Sequence, residues 1–120
     1  MKATELRIGN LVSKSLKSGA GRTLIAEIGC QDIVRIHDNT GSCNYTPIPL
    51  TEESLKRFGF ERVAPRSGIA SSFIRNGIRI DISNSGNAYY KRILIQSVHK
   101  LQNLYFALKD EELPINNLIL

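Results

Sequence analysis

The chain reads as an α+β fold: a bent antiparallel sheet or small β-barrel braced by a short central helix and a C-terminal helix. Three observations carry that reading. Ile78, Ile80 and Ile82 alternate with Arg79 and Asp81, the period-two pattern of a strand with one buried face, and Asn76-Gly77 just before them is a favoured hairpin turn. Thr51 opens a short helix that Gly59 closes. Val98, Leu101, Leu104, Tyr105 and Leu108 recur three or four apart, which puts them on one helix face against a sheet.

Taken in order, Leu6 to Val12 has apolar residues on both sides of Gly9-Asn10 and suits a strand entered through a turn. Residues 13–23 hold Lys14, Lys17, Arg22, two glycines and three serines, the composition of an exposed loop or hairpin tip. Leu24 to Ile28 and Ile33 to His37 read as two short strands around Gly29-Cys30-Gln31-Asp32. Asp38 to Ser42 is a turn by composition, and Pro47 and Pro49 keep the next segment extended. Thr51 then caps the central helix, with Glu52 and Glu53 at its positive end and Lys56 and Arg57 at its negative end. Leu50 and Phe60 both fold onto Leu55, so each end of this helix is pinned. Glu61 to Val63 is a short strand. Ser83 to Asn87 makes a further turn, Ala88 to Gln96 returns as one strand, and Ser97 caps the last helix. The strands therefore lie near 6–12, 24–37 and 73–96, and the helices near 52–58 and 98–110.

Three segments, Glu5 to Val12 (ELRIGNLV), Pro47 to Glu53 (PIPLTEE) and Val98 to Leu108 (VHKLQNLYFAL), resemble a family of small uncharacterised phage and mobile-element proteins of Bacteroidetes. The likeness covers about a third of the chain. It implies a small, non-secreted accessory protein and no particular substrate. Lys109-Asp110 stand where that family is expected to carry Thr-Gly after the last helix.

A chain of 120 residues suits one domain spanning 1–120, and 42% hydrophobic with 22% charged residues is the composition of a folded protein. No apolar run approaches the length of a membrane span, and the polar start after Met1 lacks the apolar core of a signal peptide, so the expected compartment is the cytoplasm, with no membrane partner. There Cys30 and Cys43 are expected to remain thiols, Cys30 as a small hydrophobe at a strand turn and Cys43 in a loop. With His37 and His99 they make two cysteines and two histidines, yet neither a Cys-x-x-Cys nor a His-x-x-x-His pair occurs, so no metal site is expected. No nucleophile with a base, no carboxylate pair and no phosphate-binding glycine fingerprint stands out, so no enzyme, catalytic residue or cofactor is assigned.

The formal net charge of +5 is unevenly spread. Residues 54–100 carry nine basic residues, six of them arginines, against Glu61 and Asp81; the residues before them balance to zero. An arginine-rich strand face neutralises phosphates, and its guanidinium forks bind them bidentately. Tyr89 and Tyr90 beside Lys91 and Arg92 offer aromatic faces on which an unpaired base stacks, and one of two adjacent tyrosines on a regular strand points away from the core. Arg66, Arg75, Arg79, Tyr89, Tyr90, Lys91 and Arg92 are therefore the expected nucleic-acid contacts, with Asp81 as an arginine's ion-pair partner. The expected partner is nucleic acid or a ribonucleoprotein defence complex of a bacterial host, inhibited in the manner of an anti-CRISPR. The alternative is a protein-protein module, with the apolar tail Ile115 to Leu120 joining a homodimer. Phe106, off the apolar face of the last helix, is expected to pack.

Overall fold

The computed structural model describes residues 1–16, 24–41 and 43–113. Two antiparallel sheets and three helices make the α+β architecture, and the sheets do not close into a barrel. The smaller sheet has the order β2-β1-β3, built from β1 (Leu11–Leu16), β2 (Leu24–Glu27) and β3 (Cys43–Thr46). The larger is a five-stranded meander of β4 (Glu61–Val63), β5 (Ser71–Arg75), β6 (Ile78–Ile82), β7 (Ala88–Tyr90) and β8 (Ile93–Leu94). The helices are α1 (Cys30–Asp38), α2 (Glu52–Arg57) and α3 (Val98–Lys109), and a 3-10 turn spans Ala3–Glu5.

The larger sheet follows from its turns. Asn76 and Gly77 both take positive φ, 48° and 79°, the geometry a two-residue hairpin needs, and Arg75 pairs with Ile78 across it. The register then places Ile78, Ile80 and Ile82 beside Phe73 on one face, all buried. Against that face pack Ile48, Leu50, Leu55, Phe58 and Phe60 from the α2 region, and Val98, Leu101 and Tyr105 from α3. Helix α2 is built as expected: the Thr51 hydroxyl accepts from the Ser54 amide at 3.2 Å, and Gly59 at φ 83° turns the chain so that the Phe60 amide donates to the Leu55 carbonyl.

Several expectations fail for identifiable reasons. Ile33 to His37 is not a strand but the middle of α1. The Gly29 amide donates to the Asp32 carboxylate at 2.9 Å at the helix start, Asn39 closes the helix in the left-handed region, and Ile33 and Ile36, three apart, share a second small core with Leu6, Val12 and Ile28. Cys30 is accordingly the exposed first residue of a helix, and Cys43 opens β3 rather than lying in a loop; both are free thiols. The first strand begins at Leu11, after a turn closed by the Asn10 amide on the Arg7 carbonyl, and runs to Leu16 through part of the expected loop. The rest of that loop, 17–23, and the tail 115–120 lie outside the described residues.

Ala88 to Gln96 is two strands, not one. Lys91, at φ 55°, turns the chain back so that Tyr90 pairs with Ile93. Ser97 stands at the start of α3 without using its hydroxyl as a cap; the Val98 amide instead donates to the Ile48 carbonyl at 2.9 Å. The buried face of α3 is Val98, Leu101, Gln102 and Tyr105, a complete i, i+3, i+4, i+7 set with His99 beside it, which leaves Leu108 on the flank at 46% exposure. Phe106 is 36% exposed and is covered by the Arg7 guanidinium 4.3 Å above its ring. Asp110 adopts the left-handed conformation, φ 54°, and so does the work of a helix-closing glycine.

Helix α3 joins the two halves of the molecule by polar contacts as well. Gln102 is buried; its Oε1 accepts from the Leu11 amide at 2.8 Å and its Nε2 donates to the Gly9 carbonyl. Asn103 Oδ1 accepts from both Arg7 Nε and Asn10 Nδ2 at 2.9 Å, and its Nδ2 donates to the Glu5 carbonyl. Arg7 also pairs with Glu112 at 2.8 Å.

Two outcomes are expected. Gln102→Ala strands a buried amide and a carbonyl at once, and should lower stability by about 3 kcal/mol in a denaturant titration, well beyond a surface substitution. His99 is buried, and desolvation pushes its pKa below the ordinary 6.5, only partly opposed by Glu5 and reinforced by Lys100 and the Met1 amine. The unfolded chain therefore takes up the proton first. Stability should be full above pH 6.5, fall as pH drops below it until the folded-state pKa is passed, and lose that segment of pH dependence in His99→Gln.

Candidate nucleic-acid interface

The outward face of the larger sheet is set by β6. Arg79 and Asp81 are two apart on one strand and so share a face, opposite the three isoleucines. Asp81 is only 6% exposed, and its Oδ1 accepts from Ser72 Oγ at 2.6 Å and from Arg79 Nε at 3.2 Å. That is the ion pair expected of it. The same guanidinium donates through Nη2 to the Ala64 carbonyl at 2.7 Å, which ties down the loop before β5. Arg66, exposed, lies on that loop. Tyr89 is the cross-strand neighbour of Asp81 and stands half-buried on this outward face.

Lys91 and Arg92 form the tip of the β7–β8 hairpin, both exposed. Beside them Ile93 and Leu94 are 58% and 39% exposed on the edge strand. The Lys91 ammonium lies 5.5 Å from the centroid of the Tyr90 ring. Tyr90 itself faces inward and packs on the main core, so Tyr89 is the tyrosine of the pair that turns away from it.

Arg75 sits elsewhere, on the inward side at the end of β5. Its guanidinium lies close over Gly59, where an added Cβ would meet Nη1. Its Nε is buried without a partner among the described residues. The positive φ of Gly59 strains any larger residue at that turn, and such a residue would also have to push the Arg75 guanidinium aside. Of the seven sequence-derived positions, the structure thus puts Arg79 and Tyr89 on one face, Arg66 on the exposed β4–β5 loop at the Ile82 end of the sheet, and Lys91 and Arg92 on the hairpin tip at the opposite, Ile78 end. Arg75 and Tyr90 are directed to the packed side.

Charge compensation separates these cations. Arg79 is neutralised by a buried carboxylate, whereas Arg62, Arg66 and Arg92 have no ion pair or hydrogen bond from their side chains among the described residues. Ser72, which orients Asp81, escaped sequence reading because an isolated serine carries no signal of its strand partner. The turn at Lys91-Arg92 escaped it because neither residue is a usual turn former.

No protein-family model, curated protein or solved structure matches this chain. Among the described residues, no helix is long and apolar enough to cross a membrane.

The left-handed Lys91 gives a direct check of the hairpin tip. Lys91→Gly relieves the Cβ conflict of that conformation and should raise stability by about 1 kcal/mol, read as a higher denaturant midpoint at unchanged slope. A loss of stability would contradict the turn.

Proposed function

We propose that this protein is a non-catalytic binding protein that contacts nucleic acid, free or within a ribonucleoprotein complex, through the outward face and hairpin tip of its larger sheet. The observation that carries this reading is the placement of uncompensated cations. Lys91 and Arg92 project from a tight turn beside Tyr89, and Arg66 lies at the other end of the sheet on a loop that the Arg79–Ala64 hydrogen bond ties down. Cations without an ion-pair partner gain most from phosphate, and the half-buried Tyr89 ring is a stacking surface for an unpaired base. Arg79 serves by positioning: its own charge is spent on Asp81, so its removal loosens the loop carrying Arg66.

The finer reading is inhibition of a bacterial defence complex by occupying its nucleic-acid channel, as an anti-CRISPR protein does. It rests on the same cationic face together with the mobile-element resemblance of the three sequence segments.

Anisotropy titration of a labelled single-stranded RNA and DNA against salt tests the reading. The expected result is affinity that falls steeply with salt, with the slope reduced by about 2 in the triple variant Arg66→Ala, Lys91→Gly, Arg92→Ala, from about 0.7 per lost phosphate contact. Salt-independent binding, or an unchanged slope in the triple variant, rejects this face.

A further inference from the structure

The start of α3 combines features that a helix start ordinarily avoids. No acidic residue lies in its first turn, and Lys100 occupies the third position, where its charge adds to the positive end of the helix dipole. Ser97, at the capping position, is 3% exposed, and its hydroxyl has no hydrogen-bond partner among the described residues. His99 is 1% exposed, and neither ring nitrogen has a partner among them. Buried polar groups are almost always satisfied, so two unsatisfied side chains within three residues call for an explanation.

These groups converge on a pocket of about 310 Å³. Pro47 and Pro49 form its apolar wall, since in that extended segment Ile48 and Leu50 turn inward to the core and leave the prolines facing out. Ser97, His99 and Lys100 supply its polar side. The nearest anion is the Glu5 carboxylate, and it fits loosely. Oε1 is 3.8 Å from His99 Nε2 and Oε2 is 3.9 Å from Lys100 Nζ, both beyond hydrogen-bond length, while Oε1 is held by the Lys2 amide at 3.0 Å.

We propose that the first turn of α3 is a binding site for a phosphate group, which displaces the Glu5 carboxylate and takes hydrogen bonds from Ser97 Oγ, a ring N–H of His99 and the Lys100 ammonium. A phosphate has enough acceptor oxygens for three converging donors and the helix dipole together, whereas the tethered carboxylate of Glu5 reaches none of them at bonding distance. Two sources carry that chemistry: a small phosphate ester, or the phosphodiester backbone of a bound strand. The site does not depend on the hairpin-tip interface.

The test is nuclear magnetic resonance of the full chain titrated with inorganic phosphate, with chloride at equal ionic strength as the control. Saturable shifts confined to the amides of Ser97 to Leu101 and the His99 ring are expected. Ser97→Ala, whose unchanged spectrum elsewhere reports an intact fold, should weaken binding about tenfold. Glu5→Gln, which removes the competing charge, should tighten it about threefold. Phosphate shifts no larger than those of chloride, or indifference to both substitutions, overturn the proposal. A nucleoside monophosphate and a single-stranded oligonucleotide then separate the sources, since an oligonucleotide that moves only residues 89–94 leaves the small ester as the ligand. An oligonucleotide without effect at the hairpin, alongside phosphate shifts at α3, rejects the interface and retains this site.

Discussion

The clamp between α3 and the turn before β1 is the contact on which the arrangement of the two sheets rests. Gln102 and Asn103, adjacent on one helix, reach the backbone at Glu5, Gly9 and Leu11 and the side chains of Arg7 and Asn10. The apolar stripe of the same helix is committed to the larger sheet through Val98, Leu101 and Tyr105. Leu11 of β1 and Ile25 of β2 enter or pack on that same core, so the helix meets the smaller sheet by burial and adds hydrogen bonds to it. The hydrogen-bonded attachment is the more directional: burial tolerates small slides, whereas a side-chain amide bonded at both ends sets register. It is also the more exposed to failure, because each broken bond leaves a buried group unsatisfied.

Charge follows a related division. Two cations that tie remote parts of the fold are compensated at hydrogen-bond length: Arg79 by Asp81 and Arg7 by Glu112. Asp32 is itself held ionised below the usual carboxylate range; burial pushes its pKa up, but the Gly29 amide, the Tyr45 hydroxyl and the nearby cations outweigh it. Cations at the hairpin tip and at the start of α3 lack such partners or meet them only loosely. Both places also carry a local cost, a non-glycine residue in the left-handed region at Lys91 and unsatisfied buried donors at Ser97 and His99.

Much of the framework was legible in residue order. The α2 peg, the Asn76-Gly77 hairpin, the inward isoleucines of β6 and the span of α3 each rest on interactions within a few residues: a cap, a turn conformation, a period. Helix α1 was not legible, because Ile33-Val34-Arg35-Ile36 carries a period that a strand and a helix explain equally over so short a run, and the deciding contacts come from Leu6, Val12, Ile28 and Tyr45 elsewhere in the chain. The tip at Lys91-Arg92 was hidden for the opposite reason: its residues favour no turn, and pairing of Tyr90 with Ile93 imposes it.

The sequence by itself determined the α+β class, the position of the main hairpin and the excess of positive charge between residues 54 and 100, since these depend on local conformation and composition. Only the tertiary structure decided which cations are spent and which are available, which tyrosine faces outward, and that Ser97, His99, Lys100 and Glu5 meet in one pocket. The physical reason is that ion pairing and burial are set by distances between chain-remote groups. Glu5 and His99 are far apart in the chain, and the packing of α3 near the N-terminal turn brings them to 3.8 Å.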